Sequence, residues 1–431
     1  MKRPTAVLLA IAVAVAVPSV SAGPASAAPP AGACRDPEPG RSAITDLPWA
    51  QQLLDLPGAW RHSTGAGVVV AVVDSGVDAD HPQLRGRVLP GRDFFLVGDL
   101  RGNFDCVSHG TAVGSIIAAG PAGGVGFRGV APGARILPVR ITDRELNDQG
   151  EPSPIDPAAV ARGIRYAADH GAKVINLSLS GYGDFRAVRN AVRYAQSKDA
   201  LLVAAVGNRQ DIGPTASFPA AYPGVLGVGA IDIAGARSSG SQVGDYVDLV
   251  APGTRVVGAT RARGHTYHDG TSFAAPFVAG AAALVRSAWP KLTAEQTAQR
   301  LMATAAPARG GRASREFGAG VVDPYRAVTE GLSERDPLAM PEVVLPAPDP
   351  DAVRVAAWWD RTSASAKLGA GAGALALALA AVLAWALPRG RRRRWLPGRA
   401  ELLPAAPPRD EPPEEIFLFP PPPVEERTIR S

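Results

Sequence analysis

Cysteine is nearly absent from this chain, which has only Cys34 and Cys106 in 431 residues. With no third or fourth soft ligand nearby, the common cysteine-rich zinc sites are excluded, and no metal site is expected. In an oxidising compartment an even count favours one disulfide, and two free thiols are the alternative. The bond would tie an N-terminal segment to the residues just before His109.

Excess charge is also scarce in the body of the chain. Of the net charge of +5, Lys2 and Arg3 contribute two units, and the segment from Arg389 onward contributes two more, with nine arginines against seven acids. The large middle region is therefore almost neutral. This balance gives no support to a nucleic-acid partner.

The N-terminal apolar run predicts export. Lys2 and Arg3 precede apolar residues from Ala6 to Val17, and small residues follow them at plausible cleavage sites. This order is typical of a secretory signal, here residues 1–27. The run is short and is followed by Pro18, which disfavours a retained anchor helix.

A second apolar run lies near the other end. Leu368 to Leu387 is free of charged residues, and at about 1.5 Å per residue it spans the roughly 30 Å hydrocarbon core of a bilayer. Because arginines 389 and 391–394 follow at once, the positive-inside rule places residues 388–431 in the cytoplasm and the preceding region outside. Residues 331–367 are predicted to be a Pro/Ala-rich linker, and 388–431 a basic, then Pro/Glu-rich disordered tail.

Between these ends, buried-type strand patterns alternate with helical ones. Residues 28–48 form a short Pro/Gly/Ala-rich arm, and residues 49–330 form one domain. Strand–helix alternation predicts an α/β fold, a parallel sheet with helices on both faces. Polar residues at the carboxyl ends of such strands lie where these folds place their chemistry.

Three segments carry residues suited to nucleophilic catalysis. Asp74 ends the first strong strand, His109 opens a small-residue helix in His-Gly-Thr, and Ser272 opens a long apolar helix in Gly-Thr-Ser. A serine hydroxyl needs an adjacent base, histidine supplies it, and a buried carboxylate fixes the histidine tautomer. Alone, Asp-Ser-Gly after a strand is usually a turn, His-Gly-Thr is more often a helix cap, and Thr-Ser can simply cap a buried helix. Together, in the order Asp, His, Ser, they predict a hydrolase.

The full set of motifs resembles the subtilisin family of serine proteases (subtilases) over about residues 49–330. The matching segments are residues 71–77 (AVVDSGV), 81–82 (HP), 109–111 (HGT), 175–179 (INLSL), 204–208 (AAVGN), 250–253 (VAPG), 270–276 (GTSFAAP) and 318–323 (GAGVVD). The resemblance implies a subtilisin-like parallel sheet, and it implies that Asp74, His109 and Ser272 form a catalytic triad.

The resemblance also implies substrate-binding roles. Asn208 matches the oxyanion-hole asparagine, although a loop asparagine that caps the next turn is the alternative. The segment Ser178, Leu179 and Ser180, together with Gly207, matches the substrate-binding residues. Ser180 stands where the family usually has glycine, so the resemblance does not predict which side chain the first specificity pocket accepts. Gln83 replaces a common calcium-binding aspartate, and no cofactor is expected.

The overall layout resembles mycosins, the membrane-anchored subtilases of actinobacterial type VII secretion systems. A signal sequence, a short arm in place of a long propeptide, Cys106 just before His-Gly-Thr and one C-terminal span all match. The resemblance implies an extracytoplasmic, single-pass endopeptidase whose partners are a protein or peptide substrate, the membrane and the secretion complex. A general cell-surface protease and a mainly structural secretion subunit are the alternatives.

Overall fold

The computed structural model describes residues 29–34, 36–96, 98–143, 154–210, 213, 215–309, 311, 314–332, 350–392 and 394. The predicted signal sequence, residues 333–349 of the predicted linker and the predicted tail from residue 395 onward lie outside this range. The chain divides into two compact units, Met1–Arg335 and Asp336–Ser431.

Seven parallel strands form the central sheet. The strands of the chain are β1 (Val69–Asp74), β2 (Arg92–Asp93), β3 (Arg135–Arg140), β4 (Val174–Leu177), β5 (Leu201–Ala205), β6 (Val225–Ile231), β7 (Leu249–Pro252), β8 (Val256–Ala259) and β9 (His265–His268). Their order across the sheet is β2-β3-β1-β4-β5-β6-β7, with every neighbouring pair parallel. Strands β8 and β9 form a separate antiparallel pair.

Helices cover both faces of this sheet. Within the described ranges they are α1 (Trp49–Leu53), α2 (Leu56–Trp60), α3 (His109–Ala118), α4 (Pro157–Asp169), α5 (Arg186–Ser197), α6 (Thr271–Ala288), α7 (Ala294–Ala303), α8 (Pro324–Thr329) and α9 (Pro350–Arg392). Side chains alternate along each strand. Val70 and Val72 of β1 therefore join the core under α3 and α6, whereas Ala71 and Val73 join the core under α4 and α5. The predicted fold class is confirmed.

Helix α6 is the core helix of the first unit. It is long and apolar enough to cross a membrane, yet 83% of its apolar window is buried inside the protein. Its small residues allow close packing: a Cβ added to Gly280 would lie 2.6 Å from Val130 Cβ. The helix contacts α3 and strands β4 to β7. It is therefore positioned rigidly, and so is the serine in its first turn.

Helix α9 contains the second apolar segment. Residues 357–392 have a mean hydropathy of 2.1 over the best window, and none of that window is buried inside the protein. Trp358 and Trp359 are exposed upstream, and Arg389 follows the apolar part. The helix begins at Pro350, eighteen residues before the predicted span, so residues 350–367 of the predicted linker are helical. One C-terminal helix thus fits a single membrane span.

The N-terminal arm is attached to the rest of the first unit at several points. A disulfide joins Cys34 to Cys106, so the two thiols are paired. The backbone of Arg41 donates to the carbonyl of Arg263, and the backbone of Ile44 donates to His265 Nδ1 at 3.1 Å. His265 Nε2 in turn donates to Gln83 Oε1 at 2.6 Å. The neutral imidazole of His265 therefore connects Ile44 of the arm to Gln83.

The free energy of unfolding is expected to fall as pH drops from about 6.5 to about 4, in part through His265. Burial lowers the pKa of His265 from 6.5 to about 4, and neighbouring His81 adds to this shift. Between these values the unfolded chain takes up a proton that the folded chain does not. The loss is about 3 kcal/mol for a shift of this size and is complete below pH 4.

Urea unfolding of wild type and His265→Gln across this pH range checks the expectation. The difference between the two proteins isolates His265 from other titrating groups such as Asp248, whose pKa is raised by burial to about 6. His170→Gln, at an exposed position, is the control. Parallel pH profiles for wild type and His265→Gln would contradict the account.

Candidate active site

The sheet topology gathers the predicted site residues at one edge. Strands β1, β4 and β5 are neighbours and run parallel, so their carboxyl ends lie side by side. Asp74 ends β1, Ser178 follows β4, and Asn208 follows β5. Each polar side chain thus leaves the sheet at the same edge.

Asp74 and His109 form a buried hydrogen-bonded pair. His109 Nδ1 lies 2.7 Å from Asp74 Oδ1, and the backbone N–H of Ser75 donates to the same oxygen at 2.7 Å. Asp74 is 4% and His109 9% exposed. Because Nδ1 must carry the proton in this bond, a neutral His109 has its lone pair on Nε2. That tautomer can accept a proton from a hydroxyl.

A second buried carboxylate, Asp105, holds the start of α3 against β1. Its Oδ1 accepts from Ser75 Oγ at 3.0 Å, and its Oδ2 accepts from the Thr111 backbone and hydroxyl at 2.9 and 2.7 Å. Ser75 Oγ accepts from the Gly110 backbone at 2.9 Å. Burial raises the pKa of Asp105 to about 6, against the opposing effect of hydrogen bonds from Thr111 and from the Val107 backbone. Asp105 thus fixes both segments that carry the Asp74–His109 pair.

Arg140 provides further support behind Asp74. This fully buried side chain donates to Asp93 Oδ2 at 2.8 Å and to the Ser75 carbonyl at 3.1 Å. It also approaches Cys106 Sγ at 3.7 Å. The disulfide, the Asp93 carboxylate and the backbone just after Asp74 are therefore joined through one guanidinium.

Ser272 lies in the first turn of α6. Gly270 has φ +128°, a conformation that L side chains rarely adopt, and α6 begins at the next residue. The Ser272 carbonyl accepts from Ser178 Oγ at 2.6 Å. The ring of Phe273 meets the His109 ring edge-on with centroids 5.1 Å apart, which places the start of α6 beside His109. Backbone N–H groups in a first helical turn suit a developing negative charge.

The amide of Asn208 is oriented by α6. The Thr271 backbone donates to Asn208 Oδ1 at 2.8 Å, which leaves Nδ2 as the outward donor. A Cβ added to Gly270 would lie 3.0 Å from Nδ2. The Gly207 backbone donates to Thr271 Oγ1 at 3.1 Å. An amide donor is thereby held beside the start of α6.

His268 is a neighbour of this site that the sequence did not reveal. Its ring stacks on Phe273 with centroids 4.3 Å apart, so Phe273 touches two histidines. Burial, and then the proximity of His109, lower the pKa of His268 to about 4. His268 is therefore neutral at neutral pH.

The predicted substrate-binding residues follow β4 and β5. Ser178, Leu179 and Ser180 leave β4 toward Gly181, which pairs in the antiparallel sense with Phe218 through hydrogen bonds of 2.9 and 2.7 Å. Gly207 precedes Asn208 on the neighbouring strand end. In the described ranges, no group of three or more acidic, histidine or cysteine side chains could hold a metal ion.

Comparison with known proteins agrees with this geometry. The sequence profile of the subtilase family matches residues 65–320. This chain belongs to the subtilase family. Mycosin-3 of Mycobacterium tuberculosis (strain ATCC 25618 / H37Rv) is 34% identical over 417 residues, covering 82% of this subtilase and 88% of mycosin-3.

Two further relatives extend the comparison. A thermophilic serine proteinase of Bacillus sp. (strain AK1) is 40% identical over 278 residues, 63% of this subtilase and 64% of that proteinase, just under two thirds of its length. The solved structure of MycP3 protease from the type VII (ESX-3) secretion system is 35% identical, with a TM-score of 0.58. That similarity covers 69% of this chain and 95% of the solved one. This subtilase is a mycosin-like serine endopeptidase.

Proposed function

We propose that this subtilase is an extracytoplasmic, membrane-anchored endopeptidase that cleaves peptide bonds through an acyl-enzyme on Ser272. The observation that carries the proposal is the 2.7 Å hydrogen bond from His109 Nδ1 to Asp74 Oδ1, made beside the helix start that holds Ser272. It gives the nucleophile a base of the correct tautomer.

In the proposed reaction, His109 acts first as a base and then as an acid in each half-reaction. His109 Nε2 takes the Ser272 proton as Oγ attacks the substrate carbonyl, and Asp74 stabilises the resulting imidazolium. The backbone N–H of Ser272 and Asn208 Nδ2 stabilise the oxyanion. His109 then protonates the leaving amine, and water hydrolyses the acyl-enzyme by the same route. Ser178, Leu179, Ser180 and Gly207 flank the bound substrate.

Replacing Asn208 with leucine is expected to lower kcat by about 10²–10³-fold, with a smaller effect on KM. Leucine cannot donate to the oxyanion, and it leaves the Thr271 N–H without its acceptor. The measurement is steady-state hydrolysis of a quenched fluorescent peptide. Asn190→Leu, on the far helix α5, is the matched control. A loss that falls on KM with kcat preserved would contradict the oxyanion role.

The segments outside the protease domain supply the cellular context. We assign residues 1–27 to a signal sequence, 28–48 to the arm, 49–330 to the protease, 331–367 to a linker, 368–387 to the span and 388–431 to a cytoplasmic tail. The exposed leucines and tryptophans of α9 suit lipid contact, and Arg389, Arg391 and Arg392 suit the cytoplasmic interface. The protease then faces proteins that leave the cell.

The likeness to mycosin-3 and to the MycP3 protease supports a substrate exported by type VII secretion and a supporting role in that complex. Strains carrying wild type, Ser272→Ala or a deletion test this. We expect Ser272→Ala to export full-length substrate without processing it, and the deletion to lose export. Unchanged processing in Ser272→Ala would contradict the proposal, and normal export and processing in the deletion would favour an unrelated surface protease.

A further inference from the structure

The first turn of α6 lacks one of the hydrogen bonds of a regular helix. In an α-helix the carbonyl of one residue accepts from the backbone N–H four residues later. For the Ser272 carbonyl that residue is Pro276, which lies inside α6 and has no N–H. The backbone of the proposed nucleophile can therefore be held at this carbonyl only by a donor from outside the helix.

A serine hydroxyl beside the helix is this donor. Ser178 Oγ lies 2.6 Å from the Ser272 carbonyl oxygen and donates to it. Ser178 immediately follows β4 and is only 6% exposed, so water has little access to its hydroxyl. The bond therefore ties the backbone of Ser272 to the central sheet.

A third residue fixes the direction in which this hydroxyl points. Asn176 Nδ2 lies 2.9 Å from Ser178 Oγ. A hydroxyl has one proton and a carbonyl can only accept, so the proton of Ser178 is committed to the Ser272 carbonyl. Ser178 Oγ must then accept from Asn176, which presents its NH₂ group. The two bonds form a relay that runs from Asn176 through Ser178 to Ser272.

Asn176 is an unfavourable residue for the place that it occupies. Its partners in the sheet register are Val72 of β1 and Val203 of β5, which both belong to the apolar core under α6. Asn176 is fully buried, and its Oδ1 has no hydrogen-bond partner within the described ranges. A buried polar atom without a partner lowers stability. Packing therefore does not account for the asparagine, whereas the relay does.

We propose that Asn176, acting through Ser178, is a positioning residue that holds the Ser272 backbone in its reactive place. The inference rests on the proposed function, in which Ser272 Oγ attacks the substrate and the Ser272 N–H donates to the oxyanion. Both groups belong to the residue whose carbonyl the relay holds. A displacement of about 1 Å at a reacting group can lower a rate by about 10²-fold. Asn176 itself is buried inside the sheet and touches no reacting atom.

Asn176→Leu in the full-length protein tests the relay. Leucine has nearly the size of asparagine but cannot donate to Ser178 Oγ. We expect kcat for a quenched fluorescent peptide to fall at least about tenfold, with KM and the pH dependence of kcat unchanged. The thermal unfolding midpoint should not fall, because the substitution also removes the unpaired Oδ1. A role in stability alone would give the opposite pattern, a lower midpoint with full kcat.

Two further variants show whether the effect passes through the serine. Ser178→Ala should lower kcat at least as much as Asn176→Leu, and the double variant should lose no more than Ser178→Ala alone. Ser63→Ala is the matched control. Ser63 is buried, and its hydroxyl donates to the Leu284 carbonyl at 2.8 Å near the other end of α6. This variant removes the same kind of bond and should keep the wild-type kcat.

Replacing the proline tests the role of the carbonyl. Pro276→Ala gives the helix an N–H four residues after Ser272, so the Ser272 carbonyl gains a donor that does not depend on the relay. In this background, Asn176→Leu should lower kcat by a smaller factor than it does in the wild type. An equal loss in both backgrounds would overturn the role assigned to the carbonyl.

The outcomes separate the inference from the proposed function. If the wild type neither hydrolyses the peptide nor reacts with a fluorophosphonate at Ser272, the proposed function fails and the inference fails with it. If the wild type does both, unchanged kcat in Asn176→Leu or additive losses in the double variant overturn the inference alone. Should Asn176→Leu not fold, equal kcat values in Ser178→Ala and Ser63→Ala overturn it.

Discussion

Replacing Ser272 with alanine is expected to lower kcat by about 10⁶-fold. The hydroxyl is the only proposed group that forms the covalent intermediate, and its loss leaves the oxyanion donors and substrate binding in place. Hydrolysis should fall to the small residual rate that these provide. Single-turnover hydrolysis of a quenched peptide, with long incubation, measures the loss.

A double variant, Ser272→Ala with His109→Ala, provides a further test of the triad. Because Ser272 and His109 act as one unit, Ser272→Ala with His109→Ala should lose no more than either alone. Ser287→Ala lies near the far end of the same helix, where its hydroxyl bonds the Ala66 carbonyl. It should retain wild-type kcat. Additive losses in the double variant would contradict the proposed triad.

Replacing Asp74 with asparagine is expected to lower kcat by about 10⁴-fold. Asp74 Oδ1 accepts from both Ser75 N–H and His109 Nδ1. An amide can present its NH₂ group to His109, which then holds the proton on Nε2 and cannot act as the base. The fold should persist, since the side chain keeps its shape. Steady-state kcat together with the thermal unfolding midpoint separates the two effects.

A matched control exists on α4. Asp156 caps that helix by accepting from the Ala158 and Ala159 backbones, and asparagine caps a helix equally well. Asp156→Asn should therefore leave kcat and the unfolding midpoint unchanged. A loss below tenfold in Asp74→Asn would contradict the tautomer-fixing role of Asp74.

The sequence was sufficient for the architecture because the strands are buried on both faces. β1, β4 and β5 read as short apolar runs; β1 ends at Asp74, Ser178 follows β4, and Asn208 lies three residues after β5. Once the strands are parallel, their ends must meet at one edge. The strand pattern places Asp74 at this edge, whereas Ser178 and Asn208 were assigned to the site through the resemblance to subtilases.

Side chains that act through tertiary contacts could not be predicted in the same way. Asp105 lies in a loop, and only the fold shows that its oxygens hold Ser75 and Thr111. β9 is four residues long and carries two histidines, so no apolar pattern marked it, and His268 was missed.

Hydropathy alone also fails to separate the two long apolar helices. α6 and α9 both satisfy the length and composition of a membrane span. α6 is distinguished by burial against the sheet, which small residues such as Gly280 permit. α9 extends upstream of the apolar run. Residues 350–367 of the predicted linker include several alanines and the pair Trp358 and Trp359, and they are helical although they are not apolar throughout.

Mass-spectrometric mapping of a fluorophosphonate adduct on the full-length protein tests the central claim most directly. We expect one adduct per molecule, on Ser272, formed at neutral pH and abolished in His109→Ala. An intact Cys34–Cys106 disulfide in the same spectrum shows that the protein is oxidised, and a cooperative thermal unfolding transition of the same sample shows that it is folded. A folded, oxidised protein that gains no adduct, or gains it on another residue, would contradict the account.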